Sequence, residues 1–178
     1  MEINADRWLY AVTFSANGEY VLSGVDDGVR VWRVQDGKRM ATMEAIGPWC
    51  LAVSKDGRWI AAGTFWGCVH VWDANTYKQV SEHKEDWANV DINGVDFSPD
   101  SARLVSASNN GTATIWDIAT RERVTHSATE GTGRVFAAKY SPQGDRIATA
   151  TCHSVQLYDS NDGCFLVDIK VEALTGLL

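Results

Sequence analysis

Residues 69–73 read Val-His-Val-Trp-Asp, and the same figure returns three times: Val-Arg-Val-Trp-Arg at 29–33, Ala-Thr-Ile-Trp-Asp at 113–117 and Val-Gln-Leu-Tyr-Asp at 155–159. Each stretch places apolar residues at every second position, the period of a strand whose two faces meet different surroundings. The aromatic anchors Trp32, Trp72, Trp116 and Tyr158 lie 40, 44 and 42 residues apart, which makes the chain a repeat before it is anything else.

A second set of anchors runs in phase with the first. Phe14, Val53, Phe97 and Tyr140 precede the aromatic set by 18, 19, 19 and 18 residues. A turn follows each: Ser-Ala-Asn-Gly at 15–18, Ser-Lys-Asp-Gly at 54–57, Ser-Pro-Asp-Ser at 98–101 and Ser-Pro-Gln-Gly at 141–144. Asn-Gly and Asp-Gly tolerate the positive φ of a tight hairpin, and Ser-Pro presets the turn ahead of it. Between the anchors lie further apolar runs at 20–24, 59–63, 104–107 and 146–150. The near-constant spacing predicts three strands joined by short turns. A fourth strand is predicted at 39–43, 78–81, 123–127 and 164–170, where the spacing varies. No stretch carries a helical period. Four strands in about 42 residues make the blade of a β-propeller.

Composition narrows the function. The chain has 178 residues, 45% hydrophobic and 22% charged, with 3 prolines, as expected of a folded domain. A net charge of −7 argues against general nucleic-acid binding, which needs clustered Lys and Arg. No apolar run is long enough to span a bilayer and residues 1–10 do not read as a secretory leader, so no membrane association is expected and the expected compartment is the cytoplasm, with the nucleus as the alternative. Cys50, Cys68, Cys152 and Cys164 form no Cys-x-x-Cys pair and read as scattered reduced thiols of a core.

The repeats resemble those of the WD-repeat β-propellers over essentially the whole length. Trp72-Asp73 and Trp116-Asp117 are the name-giving dipeptide; Trp32-Arg33 and Tyr158-Asp159 are degenerate forms. The resemblance implies an all-β fold of four four-stranded antiparallel blades, at about 8–45, 46–84, 88–128 and 133–171, in one unit covering 1–178. It also implies, in each blade, a buried relay from the Trp to a hydroxyl, a His and an Asp. By position the hydroxyls are Ser23, Thr64, Ser108 and Thr151, and the Asp survives only as Asp27, so no blade is expected to form the relay in full. His83 and His126 stand near the relay's histidine position without the usual Gly before them. His70, between two valines of a strand, reads as packed or at the surface.

Catalysis finds no support in the motifs. No Gly-x-Ser-x-Gly, His-Glu-x-x-His or phosphate loop is present, and Asp86 and Asp91 read as solvated loop acids. The expectation is a protein-interaction scaffold without cofactor, metal or catalytic residues, a recognition or assembly module of a larger signalling or regulatory complex. A propeller-type hydrolase or isomerase is the alternative. Recognition sits on loops held by rigid scaffolds and favours Trp, Tyr and Arg. Trp8 and Tyr10 are read as preceding the first strand. Trp49 and Phe136 open the first strands of the second and fourth repeats, Phe65 and Trp66 occupy a hairpin turn, and Trp87 lies in a loop. In the resembled family those loops share a face, so Trp8, Trp49, Phe65, Trp66, Trp87, Arg134 and Phe136 are the candidate partner-binding residues. Four blades leave three arrangements open: part of a larger propeller, a half-ring that pairs with another copy, or a closed ring or open arc of four. The apolar terminal blades point to self-association.

Overall fold

The computed structural model describes residues 8–84, 90–128 and 133–170, and every regular element among them is a β-strand. The first blade comprises β1 (Leu9–Phe14), β2 (Tyr20–Val25), β3 (Gly28–Arg33) and β4 (Arg39–Glu44). The second comprises β5 (Pro48–Val53), β6 (Trp59–Thr64), β7 (Cys68–Asp73) and β8 (Gln79–Lys84). The third has β9 (Ile92–Phe97), β10 (Arg103–Ser108), β11 (Thr112–Asp117) and β12 (Arg123–Ala128), and the fourth β13 (Val135–Tyr140), β14 (Arg146–Thr151), β15 (Ser154–Asp159) and β16 (Phe165–Lys170). Each blade is a four-stranded antiparallel meander in chain order.

The first hairpin of every blade closes in the same way. The hydroxyls of Ser15, Ser54, Ser98 and Ser141 accept hydrogen bonds from the backbone N–H groups of Tyr20, Trp59, Arg103 and Arg146 at 3.0, 2.9, 2.9 and 3.1 Å. Gly18, Gly57 and Gly144 take positive φ there, and Ser101 accepts the same strained geometry at φ 61° in the third blade.

Blades pack face to face in the order one, two, three, four. Leu22, Val29 and Val31 of the first meet Ile60, Ala62 and Trp72 of the second. Ala61, Val69 and Val71 of the second meet Val95, Leu104 and Trp116 of the third. Val105, Ala113 and Ile115 of the third meet Val135, Ala138 and Ile147 of the fourth. A Cβ added at Gly63 would collide with the Ile92 side chain, so the absent side chain sets how closely the second and third blades approach. β1 packs on β5, β5 on β9 and β9 on β13, with no packing of that extent from β13 back to β1. The blades therefore form an open arc. β10 and β11 are buried almost throughout, as strands covered on both faces must be.

Three expectations are corrected. Trp32 is only half-buried, whereas Trp72, Trp116 and Tyr158 are buried. Each of these aromatics faces the preceding blade, and Trp32 has none in front of it. The relay hydroxyls are also shifted. Trp32 Nε1 donates to Ser23 Oγ at 2.9 Å as expected, but Trp116 Nε1 donates to Ser106 Oγ at 3.0 Å, not to Ser108. Thr64, Ser108 and Thr151 accept backbone N–H groups of their own turns instead. The positions matching Ser23 and Ser106 in the strand register are Ala62 and Thr149. Tyr158 donates to Gln156 at 2.8 Å, and the buried Thr149 hydroxyl has no hydrogen-bond partner among the described residues. Finally, Cys152 and Cys164 are exposed, because they lie in a turn and just ahead of the last strand rather than in a core.

Candidate partner-binding face

The inner strand of every blade contains a bulge at the same place. β1 steps from Leu9 to Ala11 against β2, β5 from Pro48 to Cys50, β9 from Ile92 to Gly94 and β13 from Val135 to Ala137. The skipped residues are Tyr10, Trp49, Asn93 and Phe136. A bulge releases one residue from the ladder and re-aims its side chain, which is why bulges gather at functional rims. Tyr10 thus belongs to β1 and does not precede it.

Three of these residues reach the turn between the second and third strands of their own blade. Tyr10 donates its hydroxyl to Asp26 Oδ1 at 2.6 Å. The Trp49 ring lies 4.7 Å from the Phe65 ring. Asn93 Nδ2 donates to Asn109 Oδ1 at 2.6 Å and to the Val135 carbonyl at 2.7 Å. Asn109 in turn donates to Asp91 Oδ2 at 2.7 Å, so Asp91 is a structural acceptor here. Tyr10 also joins the first two blades, with ring centroids 5.8 Å from Trp49 and 5.4 Å, edge-on, from Phe65. Such offset and edge-on pairs are favoured by the ring quadrupoles. Gly47, at φ 64°, makes room for Phe65, whose ring would meet a Cβ there at 2.6 Å. The bond to Asp26 is the main reason the Tyr10 hydroxyl titrates above the ordinary tyrosine range.

The sequence candidates distribute as follows. Trp49 and Phe65 come together with Tyr10, and Trp49 keeps 41% of its surface open. Phe136 occupies the equivalent bulge of the fourth blade and is 47% exposed. Trp8 and Arg134 are exposed immediately before β1 and β13. Trp66, 55% exposed, parts from its neighbour Phe65 and lines a separate hollow with Ile46, Cys68, His70 and Glu82. Among the described residues no ring contact joins Phe136 or Trp66 to the Tyr10–Trp49–Phe65 trio. Trp87 and Asp86 lie outside the described residues. Tyr10 and Asn93 are missing from the sequence candidates, yet all four bulge residues stand four positions before the anchors Phe14, Val53, Phe97 and Tyr140.

The inter-blade groups are poor in chemistry. Among the described residues no group of three or more His, Cys, Asp and Glu side chains could hold a metal ion, and no helix is long and apolar enough to cross a membrane. Burial between Gly63 and Ile92 pushes the Cys50 thiol up to about 12. His83 is buried, 3.0 Å from Ser81 Oγ, with its ring 4.7 Å from that of Trp116. His70 is half-buried and stacks on Trp72 at 5.6 Å.

Meander blades fanned side by side with their first strands innermost define a β-propeller repeat protein. The chain belongs to the WD-repeat family: the family model described as "WD domain, G-beta repeat" matches residues 3–33, 37–73 and 76–117. Those matches end at β3, β7 and β11. Curated relatives include WD repeat and SOCS box-containing protein 1 of Mus musculus, 41% identical over 68 residues. That similarity covers 38% of this chain and 16% of the relative. Pre-mRNA-processing factor 19 homolog 2 of Arabidopsis thaliana is 26% identical over 166 residues, 84% of this chain and 29% of its own. The chain therefore spans less than a third of the length of these relatives. Among solved structures, that of U3-55K superposes with a TM-score of 0.80 at 16% identity, over 92% of this chain and 52% of the other, which shows the fold.

Proposed function

We propose that the chain is a non-catalytic protein-interaction module whose recognition surface is the rim of bulged residues, with Tyr10, Trp49 and Phe65 as its centre and Phe136, Trp8 and Arg134 at its margin. The observation that carries this reading is the bulge repeated in all four inner strands. Strand pairing alone does not need it, and in three blades of four it frees an aromatic ring onto one edge. Rings that are half-open and already held by neighbours lose little freedom on binding, which is the character of an interface anchor. The partner is a protein segment bearing apolar side chains. The terminal blades add a second, apolar surface suited to self-association. The module's place is in a larger regulatory or signalling assembly, in the cytoplasm or the nucleus, where four free cysteines are at home.

The test is retention of proteins from a native extract on the immobilised chain, with Trp49→Ala and Phe136→Ala compared with Lys55→Ala at the opposite ends of the strands. Proteins held by the wild type and by Lys55→Ala should be lost from both aromatic variants. An identical retained set for all four chains would remove the rim from consideration.

A further inference from the structure

The two uncovered faces of the arc are the two halves of an interface that this chain already contains. On the open side of the first blade stand Val12, Phe14, Val21, Ser23 and Trp32. The strand registers place them at the positions of Val95, Phe97, Leu104, Ser106 and Trp116 in the third blade. Four of the five are the same residue, and Val21 replaces Leu104. In the third blade these residues are buried against the second; Val95 is 3% exposed, whereas Val12 is 72% exposed. Even the indole bond to serine is kept, at 2.9 Å in the first blade and 3.0 Å in the third.

The open side of the fourth blade repeats the other half. Ala148, Ala150, Val155 and Leu157 stand where the second blade offers Ala61, Gly63, Val69 and Val71 to the third. Ala107 holds the Gly63 position in the third blade, where it is buried, so the methyl of Ala150 is compatible with a neighbouring blade. On the outer strands Val167 and Ile169 replace Ser81 and His83, which makes the fourth-blade face more apolar than its template. Lys139 stands at the Ala52 position, and its ammonium is turned back to Asp96 of the third blade at 2.9 Å.

We propose that a second copy of this chain covers these faces, head to tail, with the fourth blade of one copy on the first blade of the other in the geometry of the contact between the second and third blades. Ile169 takes the place of His83 against the indole, here that of Trp32. A head-to-tail contact closes when the rotation returns to its start, and two copies making it twice form a ring of eight blades.

The test is light scattering after size exclusion of the whole 178-residue chain over a dilution series. The expected mass is about twice 19.6 kDa, falling to the monomer on dilution. Val12→Asp and Val167→Asp should each weaken the pair at least about 100-fold, because each puts a carboxylate into a dry interface. Both positions are exposed in the single chain, so an unchanged far-UV circular dichroism spectrum is expected. A monomer at every concentration would overturn the proposal and leave these faces to a blade of another chain or segment. A dimer that neither substitution weakens would overturn it as well. The rim of bulged aromatics is not altered by either substitution, so its binding is scored separately.

Discussion

Strands β11 and β15 hold the same place in their blades and differ in what lies beside them. β11, Thr112–Asp117, is buried at every residue but the last. β15, Ser154–Asp159, alternates residue by residue between buried and half-exposed. Both have the same two-faced geometry; β11 has a blade on each side and β15 on one. The first blade shows the mirror case, with Val29 and Val31 buried toward the second blade while Arg30 and Trp32 stay half-open. The lesson is that a blade's stability is lent by its neighbours, as in other repeat proteins, and that equivalent residues should contribute unequally.

Three pairs of measurements and two single substitutions sharpen or break that comparison. They are made in the Val12→Asp background so that association does not contribute. The largest effect should come from the aromatic anchors. Trp116→Ala empties a site between two blades and should cost about 3–5 kcal/mol, read from denaturant midpoints. Trp32→Ala should cost less than about 2 kcal/mol, because one side of that indole already faces water. Equal losses would mean that the first blade is covered in the chain alone.

Next come Val69→Ala and Val155→Ala, the same substitution at the same strand position. Losing two buried methyl groups at Val69 should cost about 2 kcal/mol, and the half-exposed Val155 about half of that. For the serines the difference is one of water. Ser106→Ala leaves the buried Trp116 N–H without its acceptor, at about 1–2 kcal/mol, whereas Ser23→Ala should cost under about 1 kcal/mol because the Trp32 edge can find solvent.

A smaller effect follows from His83, which the fourth blade replaces by Ile169. Burial, aided by the Arg121 charge, holds the imidazolium of His83 below its ordinary range. The unfolded chain then binds the proton first, so stability is full above about pH 6.5 and falls as the pH drops through the window between the unfolded and folded values. His83→Gln should flatten the slope of unfolding midpoint against pH between 7.5 and 5. A slope unchanged by the substitution would assign the acid sensitivity to other groups. The smallest effect is expected at Trp66, whose indole is mostly in water: Trp66→Ala should stay within about 0.5 kcal/mol. A loss of several kcal/mol would show that its hollow is part of the packed structure.

Most of the fold was legible because its determinants are local. Alternation of period two, Asn-Gly and Asp-Gly turns and a serine that caps each first hairpin act within a few residues, so the sixteen strands follow from the string of residues alone. The rim was half legible. Trp49, Phe65 and Phe136 stand out as aromatics away from the anchors, but Tyr10 and Asn93 share their role through a bulge, and a bulge is a property of pairing between two strands. The relay serines illustrate the same limit. Ser23 lies 9 residues before its indole and Ser106 lies 10 before its own, because the turn between the strands is one residue longer in the third blade; the ladder register, not the count, decides which hydroxyl faces the ring.

By itself, then, the sequence determined the number of blades, the strands within each and the residues that face the same way. Which of those faces is covered was decided by tertiary structure. Val69 and Val155, or Trp116 and Trp32, are indistinguishable as letters in a repeat. Burial depends on a second surface brought up from another blade or from another molecule, and the energy of an apolar side chain resides in that contact rather than in the side chain alone.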